Sequence, residues 1–116
     1  MRIKCYAHGR LTRDPELRRT PSGTAVVKCG LASDYGWGDK KDTIFMDCVA
    51  FGKTAEIIAE YSNKGDAIIF EGELQANKWE DKEGNKKERI ELKIDGFQFV
   101  SGNKKNNSQE EGEVTF

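Results

Sequence analysis

Between Arg2 and His8, apolar and polar side chains alternate. Ile3, Cys5 and Ala7 point one way; Arg2, Lys4, Tyr6 and His8 point the other. A period of two marks a strand with one face on a core and one in water. The pattern returns from Thr24 to Ser33, with Ala25, Val27, Cys29 and Leu31 in phase. It returns again from Thr43 to Phe51, with Ile44, Met46, Cys48 and Ala50 in phase. A fourth run covers Ala67 to Trp79, where Ile68, Phe70, Gly72, Leu74 and Ala76 alternate with Glu71, Glu73, Gln75 and Asn77. A fifth begins near Lys87, with Ile90, Leu92 and Ile94 facing in. At Asp95-Gly96 the phase slips to Phe97 and Phe99, which predicts a bulge. Only Thr54 to Asn63 carries a helical period. Its small-to-apolar stripe is Ala55, Ile58, Ala59 and Ser62, and Gly65 is placed to end it.

The segments between these runs are rich in turn residues. Gly9 allows a bend or bulge, Thr20-Pro21-Ser22-Gly23 reads as a turn, and Glu80 to Lys86 reads as a hairpin tip. Asp34 to Lys41 is a loop holding Tyr35 and Trp37. After Val100 the chain turns to Ser, Gly, Asn and Lys, with too little apolar content for a core. The expected organisation is one domain over residues 1–100 and a short disordered tail over 101–116. Three strands, a helix and two strands is the element order of an OB-fold. This is an all-β class with one helix, a five-stranded Greek-key barrel that binds oligonucleotides with one face and its loops.

Four aromatics fall out of phase with that core. Phe45 and Phe51 alternate against Met46, Cys48 and Ala50; Trp79 is in phase with the polar side of its strand; Trp37 sits in a glycine-containing loop. Large rings left in water invite aggregation unless something covers them. Unpaired nucleobases do so by stacking, at roughly 1–3 kcal/mol per base whatever the sequence. Phosphates would need cations nearby, and Arg10, Arg13, Arg18, Arg19, Lys53, Lys64 and Lys78 lie beside these strands and turns.

Charge sharpens this picture. The net charge is -1, but residues 1–41 hold nine Lys/Arg against four Asp/Glu, while residues 42–100 hold eight against thirteen. A chain that is acidic overall can therefore still present one basic face. Three widely spaced cysteines and one histidine do not make a zinc set, so no metal and no cofactor is expected. The cysteines read as small buried hydrophobes in a reducing compartment. No stretch has the length of a membrane span, and the N-terminus lacks a signal peptide's apolar segment, so a cytoplasmic protein is expected. Asp34, Asp39 and Asp42 lie close in sequence without a histidine partner, which argues against an enzyme.

The chain resembles the bacterial and phage single-stranded-DNA-binding proteins. Four stretches carry the likeness: Gly9 to Arg18 with Thr20 to Gly23; Leu31-Ala32-Ser33; Val49 to Glu56 through Glu60 to Gly65; and Glu71 to Leu74 with Lys78 to Asp81. The resemblance implies a homotetramer of OB-folds wrapped by single-stranded DNA, acting in replication, recombination and repair at the bacterial nucleoid. It puts base stacking on Trp37, Phe45, Phe51 and Trp79, adds the helix residue Tyr61, and implies pairing of Ile3 to His8 across a dimer axis. The family's acidic, Phe-terminated tip, which docks replication and repair proteins, is matched by Glu110, Glu111, Glu113, Val114 and Phe116. Thr115 stands where the family has proline, and a phage or mobile-element origin fits that departure. The competing reading is an OB-fold protein-interaction module of the primosome type, whose exposed rings meet protein.

Overall fold

The computed structural model describes residues 1–101. The expected tail, 101–116, lies outside the described residues except for Ser101, whose backbone completes the last strand. The elements are β1 (Lys4–Leu11), β2 (Glu16–Arg19), β3 (Ala25–Tyr35), β4 (Asp42–Phe51), α1 (Gly52–Tyr61), β5 (Ala67–Glu80) and β6 (Lys86–Ser101). A single 3-10 turn, Gly38–Lys40, lies in the loop between β3 and β4.

Five strands close a ring. β1 pairs with β5, β5 with β6, β6 with β4, and β4 with β3. β3 returns to β1 through Arg10↔Ala32 and Leu11↔Leu31. Every pairing is antiparallel except β4 with β6. This closed five-stranded barrel with a helix before β5 is the expected OB-fold. The short β2 is an addition; it lies along the remaining edge of β3, from Glu16↔Lys28 to Arg19↔Ala25. Its sequence, Glu-Leu-Arg-Arg, has one apolar residue and no alternation, so only the pairing reveals it.

The in-phase residues meet inside the ring. Val27, Cys29, Leu31, Cys48, Ala50, Ile68, Phe70, Leu92 and Ile94 are buried together with Leu11. Ala55 and Ile58 of α1 complete this core. Each buried Leu, Ile or Phe contributes roughly 1.5–3 kcal/mol of hydrophobic free energy. The helix starts and ends two residues earlier than the period suggests. Phe51 is still extended, and Ser62 returns the chain to extended backbone. Gly65 therefore does not cap α1; it lies in the following turn with φ near 91°.

The predicted bulge is present. Glu71 pairs with Gly96 and Gly72 with Ile94, so Asp95 is the extra residue. Beyond it, Phe97 and Phe99 pack on the core, their rings edge to face at 5.2 Å between centroids. Gly9 makes no bulge, because its ladder to β5 is regular. Its hydrogen faces the Ala32 carbonyl where β1 crosses β3, and a Cβ there would overlap that oxygen.

Four residues with core phase are exposed instead: Ile3, Ile44, Ala76 and Ile90. The reason is strand length. β5 and β6 pair only with each other from Ala76↔Ile90 to Glu80↔Lys86, forming an arm beyond the ring. β3 and β4 do the same from Ser33↔Ile44 to Tyr35↔Asp42. A side chain on the inner side of such an arm has no barrel to enter. Ile3 precedes β1 and is held at the rim by its carbonyl, which accepts the Leu74 N–H.

Candidate nucleic-acid interface

Residues directly opposite in a sheet share a face. On β4 the outward residues are Phe45, Asp47, Val49 and Phe51, and their partners on β3 are Ala32, Gly30, Lys28 and Val26. On the other side, Asp47 and Val49 lie beside Glu91 and Lys93 of β6. Glu91, Arg89 and Lys87 in turn oppose Gln75, Asn77 and Trp79 of β5. One continuous outer face thus carries Phe51 and Phe45 on β4 and Trp79 on the arm. Their exposures are 45%, 73% and 42%, so all three rings face water. Trp37, in the β3–β4 loop just before the 3-10 turn, is 85% exposed.

The cations anticipated from sequence divide by strand phase. Arg18 pairs with Val26, which pairs with Phe51, so Arg18 lies on the aromatic face; Glu16 is its neighbour at 3.6 Å. Arg13 also belongs there. Its guanidinium lies over Gly30, where a Cβ would stand 2.8 Å from Nη1. Arg13, Lys28 and Arg89 line one small pocket with Cys29, Asp47, Cys48 and Glu91. Lys53 is exposed in the first turn of α1, two residues after Phe51.

Others point elsewhere. Arg19 is out of phase with Arg18 and turns to the helix, donating to Glu56 Oε2 at 3.3 Å and to the Gly23 carbonyl at 3.2 Å. Arg10 donates to the Gly65 carbonyl at 2.9 Å. Lys64 is exposed beyond α1, with its backbone N–H on Asp14. Lys78 is out of phase with Trp79 and pairs across the arm with Glu88. Tyr61 is half-buried at the end of the helix, not on the sheet.

Sequence reasoning missed Lys28, Lys93, Arg89 and the acids Asp47 and Glu91. Alternation within each strand contained the signal. What was lacking was the register between strands, which sets them beside the rings. Arg89 is the most closely engaged. Its Cζ stands 5.2 Å from the Trp79 ring centroid and its Nη1 3.3 Å from Asp47 Oδ2. Among the described residues, no group of three His, Cys, Asp or Glu could hold a metal ion. Among them, too, no helix is long and apolar enough to cross a membrane.

The barrel is an OB-fold, an architecture shared by domains that bind oligonucleotides and oligosaccharides, and its outer face carries water-exposed rings and several cations. A family model described as the single-strand binding protein family matches residues 4–100, and the chain belongs to that family. It is similar to proteins named single-stranded DNA-binding protein in three bacteria. With that of Helicobacter pylori it is 38% identical over 97 residues, covering 79% of this chain and 54% of that protein. With that of Wolinella succinogenes it is 36% identical over 110 residues, covering 90% and 68%. With that of Clostridium perfringens it is 39% identical over 97 residues, covering 82% and 64%. The chain thus spans between about half and two thirds of these relatives' own length.

Proposed function

We propose that this protein binds single-stranded DNA without sequence preference and without catalysis, protecting and organising it during replication, recombination and repair. The observation that carries this reading is the outer face on which Phe45, Phe51 and Trp79 stand in water among Arg13, Arg18, Lys28 and Lys93. Rings of this kind stack on unpaired bases, and the cations take the phosphates. Trp37 extends the stacking surface from its loop. Duplex DNA, with its bases already stacked and paired, has no π face to offer. Titration with oligo-dT under tryptophan emission tests the proposal. Quenching that weakens with salt and falls in Trp79→Ala supports it. An unchanged spectrum at low salt favours the protein-interaction module.

The reading includes two further parts. Along β1, residues Lys4 to Gly9 pair with β5 on one side, and among the described residues no strand lies along the other edge. An open edge with Tyr6 exposed beside it suits pairing with a second copy, and a tetramer is the family's arrangement. Solution mass tests this. Glu110, Glu111, Glu113, Val114 and Phe116, which lie outside the described residues, form the proposed segment that recruits replication and repair proteins. An apolar side chain flanked by acids fits a pocket beside a basic residue. Truncation before Glu110 should abolish partner binding and leave the dT affinity intact.

A further inference from the structure

We propose that Arg89 is a displaceable cap on Trp79, held in place by Asp47, and that a bound strand takes over both of its contacts. The inference rests on the strand-binding reading above and concerns its regulation. Arg89 lies diagonally from Trp79 across the β5–β6 ladder, since Asn77 faces Arg89 and Trp79 faces Lys87. Its guanidinium sits 5.2 Å from the indole centroid, where a base would stack. One nitrogen reaches Asp47 Oδ2 at 3.3 Å. Asp47 belongs to β4, so this ion pair links the arm to the barrel wall.

Three features make the contact a switch rather than a fixed strut. First, both side chains are about half exposed, 51% for Arg89 and 42% for Asp47, so water screens the pair and it separates cheaply. Second, Asp47 is directly beside Glu91. Asp47 lies between Phe45 and Phe51 on β4 with Glu91 adjoining it on β6, so on the proposed reading a polyanion passes over both carboxylates. Third, stacking of a base on an aromatic ring outweighs an exposed cation–π contact, so a nucleobase displaces the guanidinium. The freed Arg89 then exchanges a carboxylate for a phosphate. Asp47 is left without its partner on a face now covered by phosphates. It therefore acts as a brake, holding the cation in the free protein and opposing the anion in the complex.

This gives a distinctive ionic signature. An arginine that leaves a carboxylate for a phosphate creates one new bare charge for each one it neutralises. Its net counterion release is close to zero. Removing the Asp47 charge restores that release, steepening the salt dependence by about 0.7 per strand bound.

Four proteins in a Trp37→Phe background test the proposal: the parent, Asp47→Asn, Arg89→Met and the double variant. Each is titrated with a dT oligomer at several salt concentrations under Trp79 emission. Asp47→Asn should bind about threefold or more tightly, with the steeper slope. In the Arg89→Met background the same substitution should help clearly less, since only the repulsion between Asp47 and phosphate remains to be relieved, with no change of slope. Arg89→Met should also alter Trp79 emission before any DNA is added. An equal gain from Asp47→Asn in both backgrounds overturns the latch and leaves strand binding intact. A parent protein whose emission ignores the oligomer at low salt overturns strand binding itself, and the latch with it.

Discussion

Cys29 stands directly across from Cys48, on β3 and β4, with both thiols inside the barrel. The two interact. Cys29 is pulled below the ordinary thiol value, chiefly because Cys48 can donate a hydrogen bond to its thiolate. Cys48 is pushed up by the same bond and by burial. Burial decides their reactivity, since an alkylating reagent must reach the sulfur. Native protein should therefore show one reactive thiol, the half-buried Cys5, and two more only as urea unfolds it. Rapid labelling of all three in buffer would contradict the closed core.

At the bulge, Gly72 lies against the Lys93 carbonyl so closely that a Cβ would overlap the oxygen. Both atoms are backbone, so neither can swing away. Gly72→Ala should lower stability by about 1–3 kcal/mol, read as a lower urea midpoint at unchanged slope.

The adjacent arginines Arg18 and Arg19 offer a controlled comparison. Arg18 shares a face with Phe51, whereas Arg19 is spent on Glu56 and the Gly23 carbonyl. Arg18→Met should weaken oligo-dT binding and reduce the salt slope by at most about 0.7, since Glu16 already pairs with Arg18. Arg19→Met should leave the slope unchanged. Equal effects would mean that bulk charge, not the aromatic face, guides the strand.

Side-chain phase on the arm makes a similar contrast. Trp79→Ala, Phe45→Ala and Phe51→Ala should each cost about 1–3 kcal/mol of strand affinity. Ile90 is exposed on the opposite side of the arm. Ile90→Ser should change strand affinity and monomer stability by no more than about 0.5 kcal/mol. Calorimetric titration and urea melts check both.

Much of the barrel was legible because alternation reports which side of a strand meets the core. Val27, Cys29, Leu31, Cys48, Ala50, Ile68 and Phe70 are buried as their phase requires. Phase is silent on where a barrel ends, so alternation alone puts Ile44 and Ile90 inward although no wall stands opposite them. It is silent on register as well. Phe45, Phe51 and Trp79 could be recognised as outward-facing, but not that Asp47 and Arg89 lie among them. Nor could strand phase within β2 separate Arg18 from Arg19 before β2 itself was known. The helix ends moved because Phe51 belongs to the β ladder, a tertiary preference that local period does not contain.

The arm that bears Trp79 has a mechanical consequence. Beyond Gln75 its two strands hold only each other, and the Arg89–Asp47 contact is a slender stay between this ribbon and the wall. Amide protons from Gln75 to Glu80 should exchange with solvent far sooner than those of Ile68 to Phe70 deep in the ring. The indole thus sits on a two-stranded ribbon with little bracing, and on the proposed reading a strand that seats on it also stills it. Part of the energy gained on contact goes into quieting that motion, so a mutation stiffening the ribbon would tighten the grip without touching DNA.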